Sequence, residues 1–494
     1  MNKEQFYELL GEVDEKAVRA AENPPVRNAK KPWIKFAAAA AACLVAVAGI
    51  GIVYRSSDQK PPAVIDTDKS KPTEAIDTDK AKKMLLAAAV YPEMPTYPTE
   101  DDDNAYTKWN DTIKALRDQP EGYQDGYDVF FSNSTRTFLS DAGTKNMIYS
   151  PLSLYMALGM SAEITDGDTR RQILDVLAQS DIDTLRSHAR SVWQANYMDD
   201  GMAKCVLATS LWTDNNIAYN QDTVDTLAGN YYSSVFTGVP GSDEYNKLLQ
   251  SWLNEQTDGL LTDYVSAIEM TPETVLALAS TVNYSGKWNY KFTKENTKPG
   301  TFYLPDGDVQ CGFMNDKRAT NYFWGGKFSS VTLNLEGNGQ MRLILPDEGI
   351  SVEELLNDDE AMDYMMMKKG LEYTNSKYVM VNLSVPKFDV SSKIDLKDGL
   401  TALGITDLFD PAKSDFSPLT ENADGIAISK AEQDTRVIID EDGCKAASLT
   451  VLLYTGAWPP TDEVDFVLDR PFLFEIISET GLPLFVGIVN DPVQ

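Results

Sequence analysis

The chain's 494 residues contain one histidine, His188, within SHARSVW. A Ser-His-Asp or Cys-His mechanism would have only that imidazole to act as base. Arg186 and Arg190 flank it in a polar, helical stretch, so it is expected on a helix surface and not beside a nucleophile. Four cysteines occur (Cys43, Cys205, Cys311 and Cys444), with no CxxC or other metal-ligand spacing. Neither a zinc site nor a disulfide framework is implied, and no cofactor or metal is expected. An enzyme is therefore disfavoured. The stretch that stands out is IIDEDGCKAASLTVLLYTGAWPPT, from Ile438 to Thr461. It begins like a buried strand, passes an acidic patch and a glycine, and continues in small residues. It then turns apolar and ends in a Thr-Gly-Ala-Trp-Pro-Pro run that cannot extend a strand. A strand-competent segment thus ends exposed, beside a turn it cannot pair across.

Composition narrows the partners. A formal net charge of −31 argues against nucleic acid, because phosphate binding needs clustered Lys and Arg. The acidity reads as a solubility device. Hydrophobic content of 43% and aromatic content of 10% belong to a globular chain with a substantial core.

The N-terminal region reads in three parts. Residues 1–32 form a short tail of mixed charge ending in a basic cluster with Arg27, Lys30 and Lys31. Within 33–54, the 19-residue run Phe36–Tyr54 carries no charge and suffices to cross a bilayer as one helix. With basic residues before it, it is expected to be a signal anchor with a cytoplasmic N-terminus; a cleaved signal peptide is the alternative. Residues 55–105 read as an extended linker, with AVIDTDK and EAIDTDK as a near-repeat. The segment MLLAAAVYPEMPTYPTEDDD within it is expected to pack irregularly, if at all.

The body is expected over 106–494. Apolar spacing predicts a helix over Tyr127–Leu139. Ser150-Pro151 opens a second, with a capping serine and a proline at the first helical position. Asp168-Thr169 caps a third. Strands are predicted over Lys204–Leu211, Val275–Tyr284, Ser329–Leu345, Lys377–Phe388, Thr435–Ile439, Phe466–Ile477 and Leu484–Val489. Helices early and long strands late give an α+β domain.

Several segments, taken in order, resemble the serpin family over about Tyr106–Gln494. NMIYSPLSLYMALGM and AEITDGDTRRQIL are similar to the family's Ser-Pro-x-Ser helix and its continuation. SGKWNYKFTKENTKPGTFYLPDGDVQCGFM resembles its Gly-Lys-Trp segment, and LILPDEG, VNLSVPKFDV and LGITDLFDPAKSDFSPL follow in register. FVLDRPFLFEIISETGLPLFVGIVNDP resembles the closing strand pair. The resemblance implies the serpin fold: helices packed around a large mixed or antiparallel central sheet, with two smaller sheets and an exposed reactive-centre loop. It implies an inhibitory member, of bacterial type; the N-terminal membrane anchor expected with it rests on the uncharged run Phe36–Tyr54.

On that resemblance the Ile438–Thr461 stretch is the reactive-centre loop. Its hinge positions are Glu441, Gly443, Cys444, Ala446, Ala447 and Ser448, where small side chains let the segment enter a sheet as a new strand. Period-two alternation puts Cys444, Ala446, Ser448, Thr450 and Leu452 on one face and Lys445 on the other. The scissile bond, sixteen residues after Glu441 in the family pattern, falls at Ala457-Trp458. Leu453, Tyr454, Thr455 and Gly456 precede it as recognition residues. The shutter cluster beneath the sheet maps to Ser150, Ser153, Ser280 and Gln433. Ser280 stands where many members have Asn, and Gln433 where many have His. Cys444 replaces the usual Thr or Ser, and Leu449 is bulkier than usual.

What this implies is a monomeric suicide substrate for serine proteases. A small residue at Ala457 suits elastase-like or subtilisin-like targets, and no Arg or Lys between Val451 and Pro460 suits a trypsin-like one. The body would lie outside the cell on a single-pass anchor, or be secreted. A non-inhibitory binding or scaffold serpin at the cell surface is the alternative; its hinge would be expected to carry proline or bulky or charged residues.

Overall fold

The structure, a computed structural model, describes residues 78–98, 103–272, 274–305, 307–366, 375–428, 431–444 and 460–494. The expected anchor over 33–54 and the loop positions 445–459 lie outside these residues. Among the described residues no helix is long and apolar enough to cross a membrane.

The chain opens with α1 (Thr78–Met84), β1 (Leu85–Ala87), α2 (Asp103–Arg117), α3 (Tyr127–Leu139) and β2 (Met147–Tyr149). Then come α4 (Pro151–Glu163), α5 (Gly167–Val176), α6 (Ile182–Asn196), β3 (Met198–Asp199), β4 (Lys204–Asp214), α7 (Gln221–Asn230) and β5 (Ser233–Gly238). Helices α8 (Asp243–Gln256) and α9 (Thr262–Val265) precede β6 (Leu276–Lys287), β7 (Thr297–Leu304), β8 (Gly307–Trp324), β9 (Phe328–Asn334) and β10 (Gln340–Pro346). After α10 (Val352–Leu356) and α11 (Asp359–Met365) follow β11 (Ser376–Pro386), β12 (Phe388–Asp395) and α12 (Lys397–Leu403). The chain closes with β13 (Glu432–Ile439), β14 (Gly443–Cys444), β15 (Glu463–Val467), β16 (Phe472–Ile477) and β17 (Pro483–Val489).

Three sheets result. One runs β1-β5-β4-β6-β14, with β3 on β4. The nine-stranded second runs β15-β11-β8-β9-β10-β16-β17-β2, with β7 on β8, and the third is the pair β12-β13. The expected large central sheet is therefore divided: no ladder joins β6 to β13 among the described residues. Both sheets with more than two strands are mixed, because β5 lies parallel to β4 and β15 parallel to β11.

Helix α4 runs through the middle of the body. Every residue from Pro151 to Glu163 except Ala157 is buried, which is what an almost uniformly apolar helix requires. Its start follows the sequence expectation, with Ser150 as N-cap accepting from Ser153 N at 3.3 Å and proline at the first turn. The Tyr127–Leu139 helix also has the expected bounds.

Four expectations change. Helix α5 starts after Asp166, two residues before the expected Asp168-Thr169; Asp166 makes no side-chain capping bond and instead pairs with Arg170 at 3.2 Å. The predicted Ser329–Leu345 strand is a hairpin, because Gly337 takes a left-handed turn (φ 73°) between β9 and β10. Phe466–Ile477 is two strands, β15 and β16, since Pro471 cannot donate to a ladder. Residues 78–98 pack on the body, which the expectation of an irregular extension from Met84 allows, but they begin with regular structure, the helix Thr78–Met84 and the strand Leu85–Ala87. Leu85 and Ala87 pair with the edge of β5, and Tyr91 lies against Trp193 and Tyr197 with ring centroids 5.0 and 5.7 Å away. The three-residue strand ends well before Pro92 and so avoids the residues that break regular structure.

Candidate functional site

The site is built on the start of α4. Ser150 Oγ donates to Leu484 O at 2.7 Å, which fixes the cap to β17. Gln433 on β13 grips the backbone of the same residue: its Oε1 accepts from Ser150 N at 2.7 Å and its Nε2 donates to Ser150 O at 3.0 Å. Ser280 on β6 reaches the next turn, with Oγ 2.9 Å from Ser153 Oγ and donating to Ser153 O at 3.0 Å. The structure thus brings Ser150, Ser153, Ser280 and Gln433 into one cluster. Each of the two strands is tied to the helix.

Above that cluster, β6 and β13 present facing edges. Below Gly286, β6 pairs only with β4 and β13 only with β12, among the described residues. Ala277 to Ser285 along β6 are all half-buried. A small cavity of about 70 Å³ opens at the lower end, where Leu278, Ser280, Gln433 and Ser153 meet Leu400 and Phe409. This slot has backbone donors and acceptors on both sides, so an added strand could satisfy two ladders at once.

The top of the slot is closed by the base of the loop. Asp440 caps a tight turn, its Oδ1 accepting from Asp442 N at 2.8 Å and Gly443 N at 3.3 Å. Beyond the turn, Gly443 pairs with Lys287 and Cys444 with Gly286, antiparallel to β6. Gly443 sits at φ 132°, and a Cβ there would lie 2.5 Å from Lys287 Cα and 2.7 Å from Trp288 N. Only glycine fits so close to a neighbouring backbone.

Charge holds the same base. Glu441 is buried and accepts from Thr297 Oγ1 and from Lys387 Nζ, each at 2.7 Å. Burial works against its charge, but these bonds outweigh it and keep the carboxyl below the usual glutamate range. Asp442 takes Lys291 Nζ at 2.9 Å, with Lys294 at 3.9 Å, and its carboxyl is lowered too, first by the Lys291 bond. Trp288 Nε1 donates to Asp440 O at 2.8 Å, and Phe292 N to Glu441 O at 3.1 Å.

Of the expected loop residues, Glu441 and Gly443 lie in this base, and Cys444 contributes its backbone to the ladder. Ala446, Ala447, Ser448, Leu453, Tyr454, Thr455, Gly456, Ala457 and Trp458 lie outside the described residues. Sequence reasoning passes over Asp440, Trp288, Thr297, Lys291 and Lys387. The signal is present in SGKWNYKFTKENT, whose closely spaced lysines, Trp and Thr face the two hinge acids. His188 sits half-buried on α6, where burial lowers its pKa, and it belongs to no part of this site. Cys205 and Cys311 are buried free thiols.

Among the described residues the body thus has two multi-stranded sheets and a two-stranded pair, with no ladder between β6 and β13 and with Gly443 and Cys444 paired to the end of β6. The family model described as Serpin (serine protease inhibitor) matches residues 128–492, and the chain belongs to that family. An alpha-1-antitrypsin-like protein, GS55-MS, of Ictidomys tridecemlineatus is 30% identical over 370 residues, covering 72% of this chain and 86% of the relative. The alpha-1-antiproteinase of Rattus norvegicus is 28% identical over 425 residues, covering 83% and 98%. Among solved structures, the thermophilic serpin tengpin in its native state superposes with a TM-score of 0.67 at 24% identity, covering 83% of this chain and all of that one. Human thyroxine-binding globulin with thyroxine bound gives 0.64 at 20% identity, covering 78% and 100%. These two likenesses show the fold alone.

Proposed function

We propose that this serpin is an inhibitor that acts as a suicide substrate for serine proteases of elastase-like or subtilisin-like specificity. The observation that carries the reading is the slot between β6 and β13, which no ladder among the described residues bridges, below a hinge whose Gly443 and Cys444 already pair with β6. In the proposed sequence the target's serine oxygen attacks the carbonyl carbon of Ala457. The bond to Trp458 nitrogen breaks, the new amine takes a proton from the target's histidine, and Ala457 is left as an ester on the protease. The freed segment after Cys444 then enters the slot as a strand and carries the protease with it before water can hydrolyse the ester.

The driving force in this reading is two new ladders and apolar burial between β6 and β13, which no ladder joins among the described residues. The native state therefore persists for kinetic reasons. Small residues at Ala446, Ala447 and Ser448 favour this reading over a non-inhibitory one, since each can enter without displacing its neighbours. For location we infer a single-pass anchor at 36–54 with the body outside the cell; secretion after cleavage of that segment is the alternative. The relatives cited above are mammalian alpha-1-antitrypsin-like proteins, so they lend no support to a bacterial source or to an anchor.

The test is direct. The full chain is incubated with an elastase-like protease and analysed under denaturing conditions. A covalent band at the summed mass supports inhibition, whereas clean conversion to a nicked chain with active protease supports a non-inhibitory serpin.

A further inference from the structure

Helix α2 leaves a cleft along one side. Trp109, Ile113 and Arg117 follow one another a turn apart and pack against the body. Trp109 Nε1 donates to Asp200 Oδ2 at 3.0 Å, and its ring meets Tyr97 edge-on with centroids 5.0 Å apart. Ile113 is buried, and Arg117 pairs with Glu479 in the turn between β16 and β17. The neighbouring column, Tyr106, Asn110 and Lys114, lines an open cleft of about 670 Å³ whose far wall carries Met198 and Gly337. The family match begins at residue 128, so the helix that makes one wall of the cleft lies ahead of it.

We infer that this cleft is a binding site for a small aromatic carboxylate, a function separate from protease inhibition. Its volume suits a ligand of that size. The rings supply the apolar end. Tyr106 is half exposed and lies 5.7 Å from Trp109, centroid to centroid, so a flat ring can stack on the pair. Buried Ile113 and Met198 continue as an apolar floor. The donors come next along the helix. Asn110 and Lys114 line the cleft, and neither side chain carries a hydrogen bond or ion pair among the described residues. Trp109 and Lys114 lie about 7.5 Å apart along the helix axis, the reach of an aryl ring with a short acid arm. A carboxylate placed there meets a charged donor and an amide donor together. Two acids also line the cleft. Glu479 is neutralised by Arg117, and Asp118 sits exposed at the mouth, a turn beyond Lys114, where it opposes the ligand's charge without meeting its ring. The chain's net charge of −31 slows an anion's approach, but it is screened over about 8 Å at physiological salt.

A matched pair of probes tests this on the full chain by titration calorimetry. Indoleacetate carries the carboxylate, and indoleacetamide is its uncharged counterpart. Wild type is expected to bind indoleacetate with a dissociation constant below about 100 μM, and indoleacetamide about fivefold more weakly. Lys114→Gln should abolish that preference and leave the two probes equal. Asp118→Asn should tighten indoleacetate about twofold, most at low salt. Asn110→Trp fills the cleft and should remove binding of both probes. Ala115→Phe, which also lines the cleft from the exposed side of α2, serves the same purpose should the first variant disturb the helix. Without probe, the melting temperature of Lys114→Gln should stay within about 2 °C of wild type, as for a surface change. No heat with either probe overturns the site. Equal affinities in wild type, or a preference that survives Lys114→Gln, overturns the carboxylate assignment. Weaker indoleacetate binding by Asp118→Asn overturns it too, because the acid would then be meeting a cationic group. Binding that survives both filling variants lies elsewhere in the molecule and overturns the cleft. None of these outcomes bears on inhibition, which the covalent protease band tests separately.

Discussion

Gln433 holds both backbone groups of Ser150, accepting from its N–H and donating to its carbonyl. A side chain from one strand of the slot thus holds the N-terminus of the central helix: it gives the buried Ser150 N–H an acceptor and adds a second donor to Ser150 O, which already accepts from Leu154 N at 3.2 Å. Gln433→Leu removes both bonds and leaves Ser150 N–H and C=O without those partners. The expected loss is about 2–4 kcal/mol of native-state stability, read as a lower midpoint in urea. Gln433→Glu should recover part of it, because one oxygen can still accept from Ser150 N. An unchanged midpoint for Gln433→Leu would show that the helix start is held by Leu484 and Pro151 alone.

Much of this cluster was legible. Ser150-Pro151 announces a helix start by its own chemistry, and the small residues after Gly443 announce a segment meant to enter a tight space. The slot was not legible, because an absent ladder leaves no pattern: β6 and β13 read as ordinary strands whether or not they pair. The clamp on Glu441 was half-legible. Its lysines stand out in the sequence, but Lys387 lies 54 residues from Glu441 and only the fold brings them to 2.7 Å.

The Glu441 clamp gives the hinge a pH dependence with a definite sign. Its folded pKa is depressed below the ordinary value of 4.5, so the bonds contribute stability above that pH. The contribution is lost as pH falls through the folded value. Lys387 is partly exposed, so the clamp is expected to contribute about 1–2 kcal/mol at neutral pH after solvent screening. Melting temperatures measured from pH 7 down to pH 3 should fall less steeply for Glu441→Gln than for wild type, and converge with it at the acid end. Parallel curves would mean that the carboxylate titrates normally and the clamp contributes nothing.

A second titration runs the other way. Arg342 of β10 and Glu475 of β16 form a buried pair at 2.7 Å, and burial raises the Glu475 pKa from 4.5 to about 7 against the opposing pull of Arg342. A raised folded pKa contributes stability below the unfolded value, and that contribution is lost as pH rises through the folded one. Stability from this pair should therefore decline between about pH 4.5 and pH 7. Glu475→Leu alone strands the Arg342 charge in the core and should cost about 3–5 kcal/mol. The double variant Arg342→Met/Glu475→Leu should regain most of that loss and show a flatter pH profile. A double variant no better than the single one would assign the loss to misfit of the introduced leucine side chain, not to the uncompensated charge.

The last prediction joins the slot to the proposed inhibition. Extending the two registers that meet at Gly443 places position 446 opposite Tyr284 on β6 and Val437 on β13. Val437 is 3% exposed, so this rung faces the interior, on the same side as the Ser280 and Gln433 cluster. Ala446 suits such a rung and a guanidinium does not. Ala446→Arg would have to bury a charge without a partner, which opposes insertion by several kcal/mol. Because the proposed scissile bond lies eleven residues further on, cleavage itself should proceed at the wild-type rate. The variant should therefore turn from inhibitor to substrate: nicked chain accumulates, protease activity returns, and the covalent band disappears. Wild type nicked between Val451 and Trp458 should gain at least about 10 °C in melting temperature from the added ladders and buried area, while nicked Ala446→Arg should gain little. If Ala446→Arg still trapped protease one for one, insertion along these registers could not be the mechanism.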